Sequence, residues 1–135
     1  MELPPDRVVI LVVEDEPLVR ELLSKVLTDK GYEVMAAEHG EQALAAIGTV
    51  WPNLLTLDLD LPGIAGDLIL AELRRRTETH ELPVVIVSAK HPIPSAVRAM
   101  AQAIVPKPFD IDELLTVVRR LAPPPESGKR STSDS

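Results

Sequence analysis

Residues 8–13 read VVILVV, an unbroken apolar run that is almost entirely β-branched. A strand with one wet face alternates apolar and polar side chains, and this one does not. It must be buried on both faces, as happens in a parallel sheet covered by helices on each side. The runs LLTL at 54–57 and PVVIV at 83–87 have the same character, with a weaker run at 32–36 and a short one, Ile104-Val105. Helical patterns lie between them. Pro17 can open a helix because its missing N–H costs nothing at the first position. Leu18, Leu22, Leu23, Val26 and Leu27 then recur at helical spacing, and Gly31 stops the helix. A short helix is predicted over 41–47, ending at Gly48. Leu61-Pro62-Gly63 breaks the third strand, and Gly66 or Asp67 opens a helix to Arg76. Asp110 and Glu113 have capping-box spacing before a helix to Leu121. The fourth helix is the weak one. His91-Pro92-Ile93-Pro94 cannot be helix interior, which leaves only about residues 95–102. Strand and helix alternating five times calls for an α/β three-layer sandwich with a five-stranded parallel sheet.

A chain of 135 residues suits one domain with a core that needs no staples. The expected division is an N-terminal extension at 1–6, a folded domain at 7–122 and a disordered tail at 123–135. The tail sequence, PPPESGKRSTSDS, is almost devoid of apolar side chains. Its charges cancel, so the net charge of −7 belongs to the folded part. That charge argues against direct DNA binding, which rests on clustered Lys and Arg; the one basic run, Arg74-Arg75-Arg76, reads as a solvated helix end. The absence of cysteine excludes disulfides and thiolate metal sites, and fits a reducing, cytoplasmic setting. No apolar run approaches the ~18 residues of a membrane span, and the N-terminus lacks the marks of a signal peptide. Trp51 precedes the third strand and is therefore expected at the end of the sheet remote from Asp58, roughly 20 Å away.

Chemistry-bearing residues follow four of the strands: Glu14-Asp15, Asp58, Ser88 and Lys107. In open parallel sheets, ligands bind beyond the carboxyl ends of the strands, so these side chains are expected to converge. Carboxylates held close together repel unless a cation intervenes. Oxygen-only ligands favour Mg²⁺ or Mn²⁺ over zinc. With Lys107 opposite the metal, a phosphoryl group has a natural seat, and a carboxylate can itself be the nucleophile. Asp58, at the end of the central strand, is the candidate. Each residue alone has an ordinary alternative: the acid pair as a helix cap, Asp58 as a turn acid, Ser88 as a loop hydroxyl, Lys107 as part of a solvated turn. Their joint occurrence at successive strand ends favours one site.

The segments VVILVVEDEPLVRELL, LLTLDLDLPGIAG, PVVIVSAK and VPKPFDIDELL resemble, in order, the receiver domain of bacterial two-component response regulators. The resemblance covers roughly residues 7–122. It implies a flavodoxin-like sheet of order 2-1-3-4-5. It also implies that Asp58 accepts a phosphoryl group from a phosphohistidine of a sensor histidine kinase or histidine phosphotransfer protein. Asp15 and Asp58 would ligate Mg²⁺, with Mn²⁺ possible; Asp60 would add its backbone carbonyl, and Glu14 would act mostly through water. Lys107 and Ser88 would each contact a phosphoryl oxygen, and Ala89 would keep the approach open. Asp60 and Lys90 would flank the group and influence its hydrolysis. Such a protein is a signalling phosphoacceptor that assists its own phosphorylation and dephosphorylation, not an enzyme.

The chain departs from the family pattern in three places. Ile104 stands where a switch aromatic is usual. Met100-Ala101-Gln102-Ala103 replaces a Gly-Ala-acid-acid stretch. The interval from Ser88 to Lys107 is about three residues short, the loss falling in the fourth helix. These features predict intact chemistry beside a rebuilt output face. With no effector following the receiver, a stand-alone regulator acting through a downstream protein target is expected. The rivals are a pseudo-receiver that signals without phosphorylation and a haloacid-dehalogenase-like phosphatase. Asp58-Leu59-Asp60 matches the D-x-D motif of the phosphatase, although that motif normally follows the first strand.

Overall fold

A computed structural model describes residues 7–89 and 92–125. The elements, in chain order, are β1 Val9–Val13, α1 Pro17–Asp29, β2 Glu33–Ala37, α2 Gly40–Val50, β3 Leu54–Leu57, α3 Gly66–Arg75, β4 Val84–Ser88, α4 Ser95–Arg98, β5 Ala103–Pro106 and α5 Ile111–Leu121. The five strands form one parallel sheet of order β2-β1-β3-β4-β5, the expected flavodoxin-like arrangement.

β1, β3 and β4 are buried along their whole length. Successive side chains point to opposite faces, which splits the core in two. Leu11, Val13, Leu55, Leu57 and Ile86 pack on one side with Ile47 of α2 and Ile69 and Leu73 of α3. Ile10, Val12, Leu54, Val85 and Val87 pack on the other with Leu23 and Leu27 of α1 and Leu114 and Val118 of α5. Pro17 takes the first turn of α1, and Gly31, at φ 98°, follows its end. Asp110 caps α5 by accepting from the Glu113 N–H at 3.1 Å, as its spacing predicted.

Helix α2 departs from expectation, and α4, the weak helix of the sequence, is short as expected. α2 does not end at Gly48 but runs to Val50, and Trp51 leaves it in a left-handed conformation at φ 57°. Nothing lies within 4 Å of a Cβ placed on Gly48. An exposed helical glycine costs only about 1 kcal/mol, too little to stop a helix whose Ala43 and Ile47 are buried. Pro52 is the effective stop. α4 is shorter still than the predicted 95–102, with only four residues. Ala99 to Ala101 continue as turns bonded back to Ser95, Val97 and Arg98, and the chain then joins the sheet: Gln102 pairs with Val84 through both its backbone N–H, at 3.0 Å, and its side-chain oxygen, at 2.7 Å. Arg74 of α3 secures the same stretch, donating to the Met100 carbonyl at 2.9 Å and to Gln102 Oε1 at 3.1 Å.

Trp51 is exposed and lies beyond the start of β3, the end opposite Asp58. Of the expected tail, only 123–125 is described, with Pro125 beside Gly31. The 1–6 extension and the rest of the tail lie outside the described residues. Among the described residues, no helix is long and apolar enough to cross a membrane.

The Tyr32 hydroxyl donates to the Ala122 carbonyl at 2.6 Å in a buried setting, tying the start of β2 to the end of α5. Tyr32→Phe leaves that carbonyl unpaired and should cost about 1–2 kcal/mol in urea unfolding. An unchanged midpoint would show that this bond contributes nothing net.

Candidate functional site

Three of the candidate residues lie one position past their strands yet remain in the hydrogen-bond ladder. The Glu14 N–H donates to Ala37 O at 3.0 Å, that of Asp58 to Val13 O at 3.1 Å and that of Lys107 to Ser88 O at 3.0 Å. Ser88 is the last residue of β4 and is fully buried. The side chains are thus fixed by strand geometry and not by loop conformation, which favours a precise site.

The result is a compact charged cluster. Lys107 Nζ lies 2.9 Å from Glu14 Oε1 and 3.2 Å from Asp58 Oδ2. Glu14 and Asp58 are buried, whereas Asp15 is exposed at the rim. One carboxylate oxygen from each of these three acids lies within 4.8 Å of the others. Asp58 Oδ1 accepts the Asp60 N–H at 3.0 Å, which fixes the carboxylate plane and turns the chain at Asp60. An all-carboxylate donor set beside one ammonium fits a hard divalent cation.

Burial raises the Glu14 carboxyl to about 7; the nearby Asp58 charge adds to the rise, and Lys107 opposes it. Desolvation pulls the Lys107 ammonium down, but hydrogen bonding to Glu14 and the charges of Asp58 and Glu14 outweigh it, and its pKa is raised. Lys107 is not a solvated turn lysine, and α1 has no side-chain cap from its N-cap residue; Asp58, by contrast, also serves the turn at Asp60.

Three contributors were not singled out from the sequence. Glu16 Oε1 stands 3.5 Å from Lys107 Nζ. Arg20 NH1 donates to the carbonyls of Glu14, at 3.0 Å, and Asp15, at 3.3 Å. Gly66, read only as a helix opener, lets α3 press onto the loop after β3: a Cβ there would lie 2.5 Å from Asp58 O and 2.6 Å from Leu59 Cα. The second glycine of LPGIAG was the available signal. Lys90, the expected partner of Asp60 across the mouth, lies outside the described residues.

The raised Glu14 pKa implies a pH effect of definite sign. Between about 4.5 and about 7 the folded protein holds a proton that the unfolded chain has released. In metal-free protein this contribution is complete below that window and lost as pH rises through it, by up to roughly 3 kcal/mol. Urea midpoints of wild type and Glu14→Gln from pH 5 to 8 should diverge accordingly; parallel profiles would contradict the buried acid.

The response regulator receiver domain profile matches residues 10–119. The phosphate regulon transcriptional regulatory protein PhoB of Escherichia coli is 36% identical over 121 residues, covering 84% of this chain and 53% of PhoB. The DNA-binding transcriptional regulator NtrC of Salmonella typhimurium is 34% identical over 117 residues, covering 84% of this chain and 24% of NtrC. The chain therefore spans about half or less of the length of these relatives. Among solved structures, the response regulator TrrA of Thermotoga maritima, determined with Mg²⁺ and BeF, is similar at a TM-score of 0.78 and 36% identity, covering 84% of this chain and 98% of TrrA. The receiver domain of NtrX from Brucella abortus is similar at a TM-score of 0.77 and 36% identity, covering 84% and 97%.

Proposed function

Because the chain belongs to the response regulator receiver family, the phosphoacceptor domain of two-component signalling, we propose that Asp58 accepts a phosphoryl group from a sensor histidine kinase or histidine phosphotransfer protein. The observation that carries this reading is the setting of Asp58: buried at the end of the central strand, 3.2 Å from Lys107 and clustered with Glu14 and Asp15.

Asp15 and Asp58 would hold Mg²⁺ through their carboxylates and Asp60 through its backbone carbonyl, with Glu14 acting by way of water; Mn²⁺ has the same taste for oxygen. Bound there, the cation supplies positive charge against the phosphoryl oxygens. The TrrA relative, solved with Mg²⁺ and BeF, supports this assignment. A carboxylate oxygen of Asp58 bonds to phosphorus as the P–N bond of phosphohistidine breaks, and the imidazole leaves with the electron pair. Lys107 pairs with one phosphoryl oxygen and Ser88 donates to another, so charge developing in the transition state meets fixed partners. Asp60 at the mouth influences how fast water later removes the group.

Acetyl phosphate with Mg²⁺, followed by intact mass, should give one phosphoryl adduct. Asp58→Asn, or removal of the metal with EDTA, should abolish it. No adduct from either acetyl phosphate or a phosphorylated kinase would overturn the reading in favour of an interaction module that signals without phosphorylation. The four-residue α4 and Ile104 are what that second reading rests on. A haloacid-dehalogenase-like hydrolase is disfavoured by the family match and by the position of D-x-D after β3.

Beside Lys107, a cleft of about 460 Å³ is lined by Val19, Leu22, Ala89, Pro108 and Phe109, with Glu16 at its edge. Leu18, next to it on α1, is 79% exposed, so it is not a core residue. This apolar surface suits a helical phosphodonor. Leu18→Asp should slow transfer from a phosphorylated kinase by tenfold or so, the effect of losing about 1.4 kcal/mol at an interface. Labelling by acetyl phosphate, which needs no docking, should persist; equal loss with both donors would place the defect in the site itself. Output is read as contact with a downstream protein, in keeping with the net charge of −7.

A further inference from the structure

We propose that Arg20 is a positioning residue for the acidic pair, setting the metal affinity of the site through the backbone carbonyls of Glu14 and Asp15. This rests on the metal assignment made above and extends it to a residue that touches neither metal nor phosphoryl group. Arg20 sits in the first turns of α1, its N–H bonded to Glu16 O at 2.9 Å. Helical side chains lean toward the N-terminus of their helix. Here that lean carries the guanidinium back over the loop that joins β1 to α1. One nitrogen, NH1, donates to Glu14 O at 3.0 Å and to Asp15 O at 3.3 Å. The other, NH2, faces Glu38 Oε2 at 3.8 Å, in the loop after β2.

The acid loop is thus held from two sides. On the sheet side, the Glu14 N–H is bonded to Ala37 O. On the helix side, Arg20 grips the next two carbonyls. Fixing both peptide planes fixes the directions in which the Glu14 and Asp15 side chains leave the chain. Asp15 needs this most, because it is exposed and, unlike Glu14, has no bond to Lys107 among the described contacts. The Arg20 side chain is only 19% exposed, so the grip is partly shielded from water.

A guanidinium near a metal site also has an opposing effect, since its charge repels a cation. The geometry decides between the two. The close contacts of Arg20 are to neutral carbonyl oxygens, and the carboxylate it faces among the described contacts is that of Glu38, not of Glu14 or Asp15. Positioning should therefore outweigh repulsion. Partners of this outer kind typically change metal affinity 10–100-fold when removed.

The test compares wild type, Arg20→Met and Arg20→Lys by calorimetric titration with Mg²⁺ alone, with amide exchange of residues 14–16 in metal-free protein. Arg20→Met should bind Mg²⁺ roughly tenfold more weakly. Arg20→Lys keeps the charge but has one donor nitrogen, and should fall between. Exchange at 14–16 should quicken in both, while Asp58 labelling at saturating Mg²⁺ stays within about twofold, so that the defect appears in the metal requirement and not in the maximal rate. Unchanged or tighter Mg²⁺ binding by Arg20→Met overturns the proposal, as does wild-type binding by Arg20→Lys, which would make the effect one of charge alone. If Arg20→Met does not fold, the intermediate affinity and quickened exchange of Arg20→Lys decide. Failure of wild type to bind Mg²⁺ would instead overturn the metal assignment.

Discussion

The structure is arranged around one costly object, a lysine ammonium partly buried among carboxylates at the end of an apolar sheet. Lys107 Nζ contacts Glu14, Asp58 and Glu16 within 3.5 Å. Taking such charges from water is expensive, and an incomplete cluster is worse than none. The site therefore needs a frame that holds its members in register without help from them. β1, β3 and β4, buried along their length, supply that frame, and the parallel ladder extends one residue further to catch Glu14, Asp58 and Lys107. The same parallel topology explains why the polar residues gather at one end. All five strands point the same way, so residues that follow different strands in sequence meet in space.

The sequence was most legible where a local rule and the global fold agree. Continuous apolar runs could only be doubly covered strands, Pro17 could only open a helix, and Asp110 and Glu113 had the spacing of a cap; the structure has each of these. The acid pair, Asp58, Ser88 and Lys107 were found because each is a polar residue directly after such a run. What stayed hidden depends on contacts distant in sequence or on weak local preferences. Gly48 looked like a helix stop, yet an exposed glycine penalty is smaller than the burial gained by continuing α2 to Val50. Gly66 matters because backbone 58–59 lies against it, which no periodicity reveals. Arg74 read as a solvated helix end, but its guanidinium reaches the carbonyls of Thr79, His80 and Met100. Its pKa is lowered by that burial.

The region between β4 and β5 shows how a chain can lose most of a helix and keep its sheet. Ile93, just before α4, and Val97 within it bury their side chains on the α3 side of the core, so this short segment still covers the sheet. After α4 the backbone closes in further turns, Met100 N–H to Val97 O and Ala101 N–H to Arg98 O, and only then is it tied outward. Gln102 satisfies Val84 on both sides, and Arg74 takes the Met100 carbonyl. That outward tie has a mechanical consequence. A helix is joined to its neighbours mainly by side chains and can shift as a unit. A segment sewn by hydrogen bonds to the start of β4 and the end of α3 must break those bonds to move. Ile104, half-buried in β5, lacks an aromatic ring that could swing into a vacated space.

Phosphorylation at Asp58 would act first on the side chains that can change partner. Lys107 is the leading one. In the structure its ammonium is shared among Glu14, Glu16 and Asp58, and a phosphoryl group on Asp58 would compete for it with more negative charge than any of them carries. Drawing Lys107 toward Asp58 would loosen its hold on Glu16, which stands at the rim of the cleft formed by Val19, Leu22, Pro108 and Phe109. The cleft and the reaction centre thus share one side chain. A change of charge at Asp58 would then be felt on the α1 side, where Leu18 and Leu22 are exposed, without any rotation in β5.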